Sequence, residues 1–573
     1  MNFFLTLTKN GNVSFSPFWE KENLDPSIIS YLSAPLPLAL IQVVEERLDR
    51  QVPTCFWRRG SKGKDIKLEI LKILKAFGGD LLCFTWQEPS LVSSIRQIGS
   101  EQNHGNEQED EVRKAFNQLV LARQLSIGDL HGLARELRVK EEEIIKLAHF
   151  NVEQGSGQWI PAVKPLGSGW QCQRCGEKNV DEWPSLYGMA ATCRSCESIG
   201  SSTSLNVLYR DQRSLLDGPS EVLFQPHWVL TEAQRQASEQ VLEFLQDPSV
   251  ETALLWAACG AGKTEVCFPP AAWALKQGKS VLFAAPRQDV ISDIVPRLKR
   301  DFPDYPFQVL TGTSLVKYKV GGMVLATTHQ VLRFWRAFDV IFMDEMDAFP
   351  YHGSRALEWG LQHALRQDGK MLYLSATPSR DGLKAVQLGK MKLIRLPARH
   401  HRNPLPVPSW ERSRHSLEPK GCKDVAVAQI GTLRAQGPVL IFVPKISWIV
   451  PWIKCFRRRF PDWSIDGSYS ADQGRSTKIE QLRQGKFDLF VSTTILERGI
   501  TLPGIQVVVL AADHPVFDER ALVQMAGRVG RTRENPAGKV VFMAENMTAA
   551  IQTAVQWIEE QNSLALELGL IEA

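Results

Sequence analysis

The sequence predicts an α/β chain with two parallel-sheet lobes in tandem, and three observations carry that prediction. From about residue 223 to the C-terminal end, apolar runs of strand length alternate with helical patterns, as in a parallel sheet covered by helices. The runs fall into two sets, 253–256, 281–284, 323–326, 340–343 and 371–374, then 439–443, 489–492, 507–511 and 540–543. A proline-rich stretch, 403–408, separates the sets and suits a stiff connector.

The 573 residues suffice for several buried cores, and 44% hydrophobic with 23% charged residues excludes wholesale disorder. A formal net charge of +4 requires any nucleic-acid surface to be a local stripe. No run approaches the roughly 20 apolar residues of a membrane span, and residues 1–18 lack a secretory pattern. A cytoplasmic address is the expectation.

Residues 1–98 mix apolar runs with Pro and Trp and show no recognisable chemistry; the polar stretch 99–111 reads as a linker. Over 112–165 helical spacing of Phe116, Leu119 and Val120, then Leu130, Leu133, Ala134 and Leu137, then Ile144, Ile145, Leu147 and Ala148 predicts three short helices, with Ser126 and Asp129 near a start. Residues 125–148 have a helix-turn-helix rhythm, for which a packing role outweighs DNA reading.

Six of the ten cysteines (Cys55, Cys83, Cys259, Cys267, Cys422, Cys455) are scattered and read as small apolar residues. The other four lie within 166–210. Cys172 and Cys175, then Cys193 and Cys196, form two C-x₂-C knuckles 17 residues apart, the spacing of a four-Cys zinc site. Arg174 and Arg194 within the knuckles, with Trp170, Trp183 and Tyr187, could grip single-stranded nucleic acid; aromatic packing with solvated arginines is the equal alternative.

The first lobe, 223–400, opens with Gln234 ahead of a helix, and its first strand runs into Gly260-Ala261-Gly262-Lys263-Thr264. Small residues let backbone N–H groups approach phosphate, the lysine reaches the terminal phosphates and the hydroxyl holds Mg²⁺. Ala257 stands where the phosphate-loop pattern has its first glycine, and Pro269-Pro270 require the following helix to be short or kinked. Some eighty residues on, an apolar strand delivers Asp344 and Glu345, suited to Mg²⁺ coordination and alignment of attacking water. Asp347 is placed to contact Ser375 and Thr377. In the second lobe, 420–573, Arg528 and Arg531 are three apart, on one expected helical face, and reach a γ-phosphate only if the lobes close. Residues 493–499 end another strand, where interlobe contacts would fall.

These segments resemble, in order, the motif set of superfamily-two helicases and translocases. The resemblance implies two RecA-like lobes, adenine contact by Gln234, an ATP cradle of Gly260, Gly262, Lys263 and Thr264, and Mg²⁺ at Thr264 and Asp344. It implies coupling through Asp347, Ser375, Thr377, Arg498, Gly499 and Gln524, and nucleic-acid contacts at Pro286, Arg287, Thr311, Gly312, Thr328 and His329. DEMD at 344–347 matches neither a DEAD nor a DEAH box strictly. The zinc knuckles ahead of the motor, DEMDAFPY at 344–351, PLPVP at 404–408 and STTILERG at 492–499 look like the ComFA family of late competence ATPases. That likeness implies a DNA-dependent ATPase with ATP, Mg²⁺ and Zn²⁺, peripheral at the inner face of the cell membrane. It would drive single-stranded transforming DNA through an uptake channel with other competence proteins and, as a further expectation, copies of itself. A PriA-like restart or repair helicase is the enzymatic alternative, disfavoured because Cys422 and Cys455 form no knuckle in the second lobe. A non-hydrolysing nucleic-acid adaptor is the alternative from another class.

Overall fold

The computed structural model describes residues 2–8, 13–16, 29–33, 36–51, 70–75, 86–87 and 107–572, apart from 168, 217, 315–316, 319–320, 415, 420–423 and 497–501. Two RecA-like parallel sheets form its body. The first has seven strands in the order Phe307–Leu310, Met323–Thr327, Val281–Ala285, Phe338–Asp344, Leu365–Ser375, Thr252–Ala257, Lys392–Leu396. The second has six, ordered Ser409–Arg412, Val540–Ala544, Gln506–Leu510, Val439–Phe442, Leu489–Ser492, Ile465–Ser468. All nine expected runs are strands. The four strands that the apolar pattern misses, at 307–310, 392–396, 409–412 and 465–468, are the four sheet edges.

Because each sheet is parallel, the C-terminal ends of its strands line one edge, where ligands of such sheets bind. In the first lobe that edge carries, strand by strand, Thr311, Thr328, Pro286, Asp344, Ser375 and the loop from Ala258 to Thr264. One apolar core runs across both lobes, from Leu255, Phe283 and Phe342 to Val507, Leu522 and Val529.

The N-terminal region has the helices Leu38–Gln51, Glu107–Leu119, Ile127–Leu137 and Glu141–Glu153, together with a five-stranded sheet over Asn2–Thr8, Val13–Ser16, Ile29–Ser33, Leu36–Pro37 and Trp86–Gln87. The first of the three helices expected over 112–165 begins earlier than the spacing suggests. Residues 107–111, read as linker, form its first turns, since Glu and Gln are good helix formers and acidic side chains suit a helix N-terminus. Ser126 and Asp129 form a capping box at the start of Ile127–Leu137, a device worth about 1 kcal/mol. The helix pair 127–153 packs with the N-terminal sheet and with the antiparallel strands Gly157–Pro161 and Val207–Asp211 around Phe3, Phe116, Leu133, Trp159 and Tyr209.

Candidate ATP site and zinc centre

The loop from Ala258 to Thr264 leaves the strand Thr252–Ala257 with Gly260 and Gly262 at φ +81 and +77. A Cβ at Gly262 would stand 2.5 Å from Gln234 Nε2, and the positive φ strains any side chain there. Gln234 is buried; its Nε2 donates to Ala261 O (2.8 Å) and its Oε1 accepts from Thr231 N (3.0 Å). It therefore braces the loop. Beyond Thr264 comes a 3₁₀ turn, Glu265–Cys267, and then the nine-residue helix Phe268–Lys276. Pro269 and Pro270 sit in its first turn, where their missing N–H groups cost nothing; the helix is short, but the prolines begin it rather than cut it off or kink it.

Lys263 Nζ lies 2.7 Å from Asp344 Oδ1, and Thr264 Oγ1 donates to Asp344 Oδ2 at 3.4 Å. Burial works against the Lys263 charge, but Asp344, Glu345 and Asp347 outweigh it and raise its pKa. Glu345 follows in the left-handed region, φ +53, and its N–H donates to Asp344 Oδ1 (2.8 Å). Asp347 accepts from Ser375 Oγ and Thr377 Oγ1, both at 2.7 Å, and Gln524 Nε2 of the second lobe donates to Thr377 Oγ1 at 3.1 Å. The structure thus joins these four residues in one chain across the lobes.

Helix Glu519–Ala526 ends at Gly527, so Arg528, on the turn that follows, and Arg531, just past that turn, lie beyond the helix rather than on the expected helical face. Gly530, at φ +67, turns the chain after the helix, and a Cβ at Gly527 would stand 2.4 Å from Cys259 Cβ. That close approach docks the second lobe on the phosphate loop. Arg528 is buried, and Arg531, whose Nε donates to Gly527 O (2.7 Å), passes close over Gly260. Burial lowers the Arg531 pKa against the opposing pull of Cys259 and Glu345. Arg399, which carries no sequence signal, donates to Cys259 O and to carbonyls of the Gly527–Gly530 turn.

The segments read as nucleic-acid contacts sit at the ends of three adjacent strands of the first sheet. Arg287 pairs with Asp289 (2.9 Å) and reaches Ile495 O of the second lobe (3.5 Å). Thr311 is mostly buried and bonded within its own turn to Thr313 and Ser314, Gly312 is exposed, and Thr328 is buried. His329 is half-buried and its pKa is lowered by that burial. Arg498 and Gly499 lie outside the described residues.

The four knuckle cysteines are buried with their sulfurs within 4.8 Å of one another, Cys172 to Cys196 at 3.7 Å and Cys175 to Cys193 at 3.5 Å. Sulfurs at ~2.3 Å from one zinc ion stand roughly 3.8 Å apart in a tetrahedron, so the residues fit the metal. The knuckles close the hairpins Val163–Leu166 with Gly169–Cys172 and Val180–Ser185 with Gly188–Cys193. Arg174 is 1% exposed and donates to Ile199 O (3.1 Å) and Gly200 O (3.3 Å), 3.7 Å from Asp129. It is therefore a packing residue and no contact for a strand. Arg194 is exposed and paired with Asp181. Asp129 also pairs with Arg333, whose Nε donates to Gln330 (2.9 Å), which ties the capping helix and a knuckle to the segment beside His329.

Residues 423–533 match the helicase conserved C-terminal domain, and residues 227–380 match the type III restriction enzyme res subunit. These two models cover the lobes of an ATP-hydrolysing, helicase-type enzyme. The chain is 34% identical to competence protein ComFA of Bacillus subtilis over 78% of its own length and 96% of the relative's. It is 32% identical to competence protein ComFA of Streptococcus pneumoniae over 72% of its length and 95% of that protein. With both lobes matched and a relative spanned almost end to end, the chain belongs to the ComFA family of competence proteins.

Proposed function

We propose that this chain hydrolyses ATP to translocate along single-stranded DNA, drawing transforming DNA inward while peripheral to the inner face of the cell membrane, beside an uptake channel and other competence proteins. The observation that carries the reading is the meeting of Lys263, Asp344 and the second lobe's Arg531 at one interlobe site. In it, Gly260, Gly262 and Lys263 would cradle the phosphates, Gln234 would contact adenine, and Thr264 and Asp344 would hold Mg²⁺. Lys263 then exchanges the Asp344 carboxylate for phosphate oxygens. When bound, the metal offsets charge building on the phosphate oxygens. Glu345 orients the attacking water, and Arg528 and Arg531 act on the transferred phosphoryl group, a role worth about 10³–10⁵ in rate in related NTP chemistry.

The chain Asp347, Ser375, Thr377 and Gln524, with Arg498 and Gly499, would carry the state of the ATP site to the edge where Pro286, Arg287, Thr311, Gly312, Thr328 and His329 meet the strand. The buried thiols of Cys172, Cys175, Cys193 and Cys196 would hold Zn²⁺ as a structural ion. Division of the chain at 1–98, 112–165, 166–210, 223–400 and 420–573 goes with this reading. ATPase assays with and without single-stranded DNA test it. Lys263→Ala and Glu345→Gln are expected to lose at least 10²-fold in kcat. Absence of DNA-stimulated turnover in the wild type overturns it, and efficient duplex displacement would instead favour the restart-helicase alternative.

A further inference from the structure

Arg399 lies in the connector just past the edge strand Lys392–Leu396, and it is 1% exposed. Its guanidinium donates to main-chain carbonyls of both lobes: Nε to Cys259 O at 2.7 Å in the phosphate loop, Nη1 to Val529 O at 2.8 Å and Gly530 O at 2.5 Å, and Nη2 to Gly527 O at 3.3 Å. His401 Nε2 lies 2.9 Å from Gly530 O. The lobe-two carbonyls follow the C-terminus of helix Glu519–Ala526, where unpaired C=O groups and the helix dipole favour a cation. Arg531 Nε donates to the same Gly527 carbonyl. One guanidinium therefore grips the phosphate loop and also fixes the turn that leads into Arg531.

The charge on Arg399 is disfavoured by burial first and by nearby Arg531 second. Its hydrogen-bond partners among the described residues are main-chain carbonyls, with no carboxylate among them. Two such cations beside a loop of main-chain N–H groups favour an anion there, as a nucleotide's phosphates would supply.

We propose that Arg399 is a positioning residue for ATP hydrolysis, locking the Gly527–Gly530 turn onto the phosphate loop so that Arg531 enters the site in register. This rests on the reading of Arg531 given above. A lysine cannot replace it, because a single ammonium cannot span carbonyls of two lobes as the planar fork does.

The test is steady-state ATPase of the full chain with saturating single-stranded DNA, for Arg399→Lys, Arg399→Ala, Arg531→Ala and the double alanine variant. A small misplacement of a catalytic group can cost about 10²-fold, so kcat is expected to fall about that much in both Arg399 variants, with KM for ATP within about threefold of wild type. If Arg399 acts through Arg531, the double variant is no slower than Arg531→Ala alone. Should Arg399→Ala fail to fold, as its thermal midpoint would show, Arg399→Lys decides. Additive losses in the double variant, a raised KM at unchanged kcat, or wild-type turnover in Arg399→Lys overturns the proposal. Wild-type turnover in Arg531→Ala removes the reading of Arg531 and the proposal with it, whereas an inactive wild type removes the motor reading first.

Discussion

Thr377 makes two hydrogen bonds with one hydroxyl, donating to Asp347 and accepting from Gln524 of the other lobe. Thr377→Val keeps the shape and removes both, leaving Gln524 Nε2 to find another partner at a cost of about 1–3 kcal/mol. The expected outcome is a severalfold smaller stimulation of ATPase by single-stranded DNA, with the DNA-free rate less affected. Equal losses with and without DNA would show that the relay does not carry the signal. The Asp347 contacts were legible because Asp347, Ser375 and Thr377 follow neighbouring buried strands of a parallel sheet. Arg399 was not legible. An arginine just ahead of the proline-rich connector has no periodicity or motif around it, and its partners are backbone carbonyls from residues about 130 to 140 positions away. Arg174 shows the converse, since a basic residue in a zinc knuckle looks exposed until its burial against Ile199 and Asp129 is seen.

Among the elements, buried strands were readable and edge strands were not. An interior strand of a parallel sheet is covered on both faces and reads as a continuous apolar run, whereas an edge such as Ser409–Arg412 carries Glu411 and Arg412. The knuckle hairpins were visible only through their cysteines, and their docking was not visible at all. Cys172, Cys175, Cys193 and Cys196 share a core with Leu282, Ala284, Val324 and Phe334 of the first lobe. A strong chelator is therefore expected to release about one zinc per chain, read by metal analysis, and to lower the melting temperature of the motor itself by several degrees. Release without any fall would mean that the knuckles are energetically separate from the lobe. Asp129 joins the same elements. Burial alone would raise its pKa, but Arg333 and Arg174 hold it below the usual carboxylate range. A carboxylate whose folded pKa is depressed stabilises above its unfolded pKa, near 3.9, and loses that contribution as pH falls through the folded value. Asp129→Asn should therefore melt below wild type at pH 7, with the gap narrowing below about pH 4.

On the scale of the molecule, the two sheets are joined by more than their connector. The C-terminal helix Ala549–Glu567 belongs to the second lobe by chain order, yet Trp557 meets Trp256 of the first sheet edge-on, with centroids 6.1 Å apart. Its Asn562 clasps the connector, donating to Leu405 O (2.9 Å) and accepting from Leu405 N (2.7 Å). Between them lies a cavity bounded by Cys259, Leu405, Val523 and Ile558, so apolar packing crosses the lobe boundary right behind the phosphate loop. Lobes that share a core this way unfold together, because neither can expose its half without exposing the other's. Calorimetry of the wild type should then show a single transition for the two lobes. Trp557→Ala deletes a large aromatic from that shared core, a change that costs about 3–5 kcal/mol when the ring is fully buried and less here, where it is partly so. The loss falls on the coupling rather than on either sheet, so the transition is expected to split in two, with the first lobe's component shifted up by a non-hydrolysed ATP analogue that binds its phosphate loop. If Trp557→Ala instead lowers one undivided transition, the lobes are held together by the Arg399 clamp and the connector, and the C-terminal helix is only a cover.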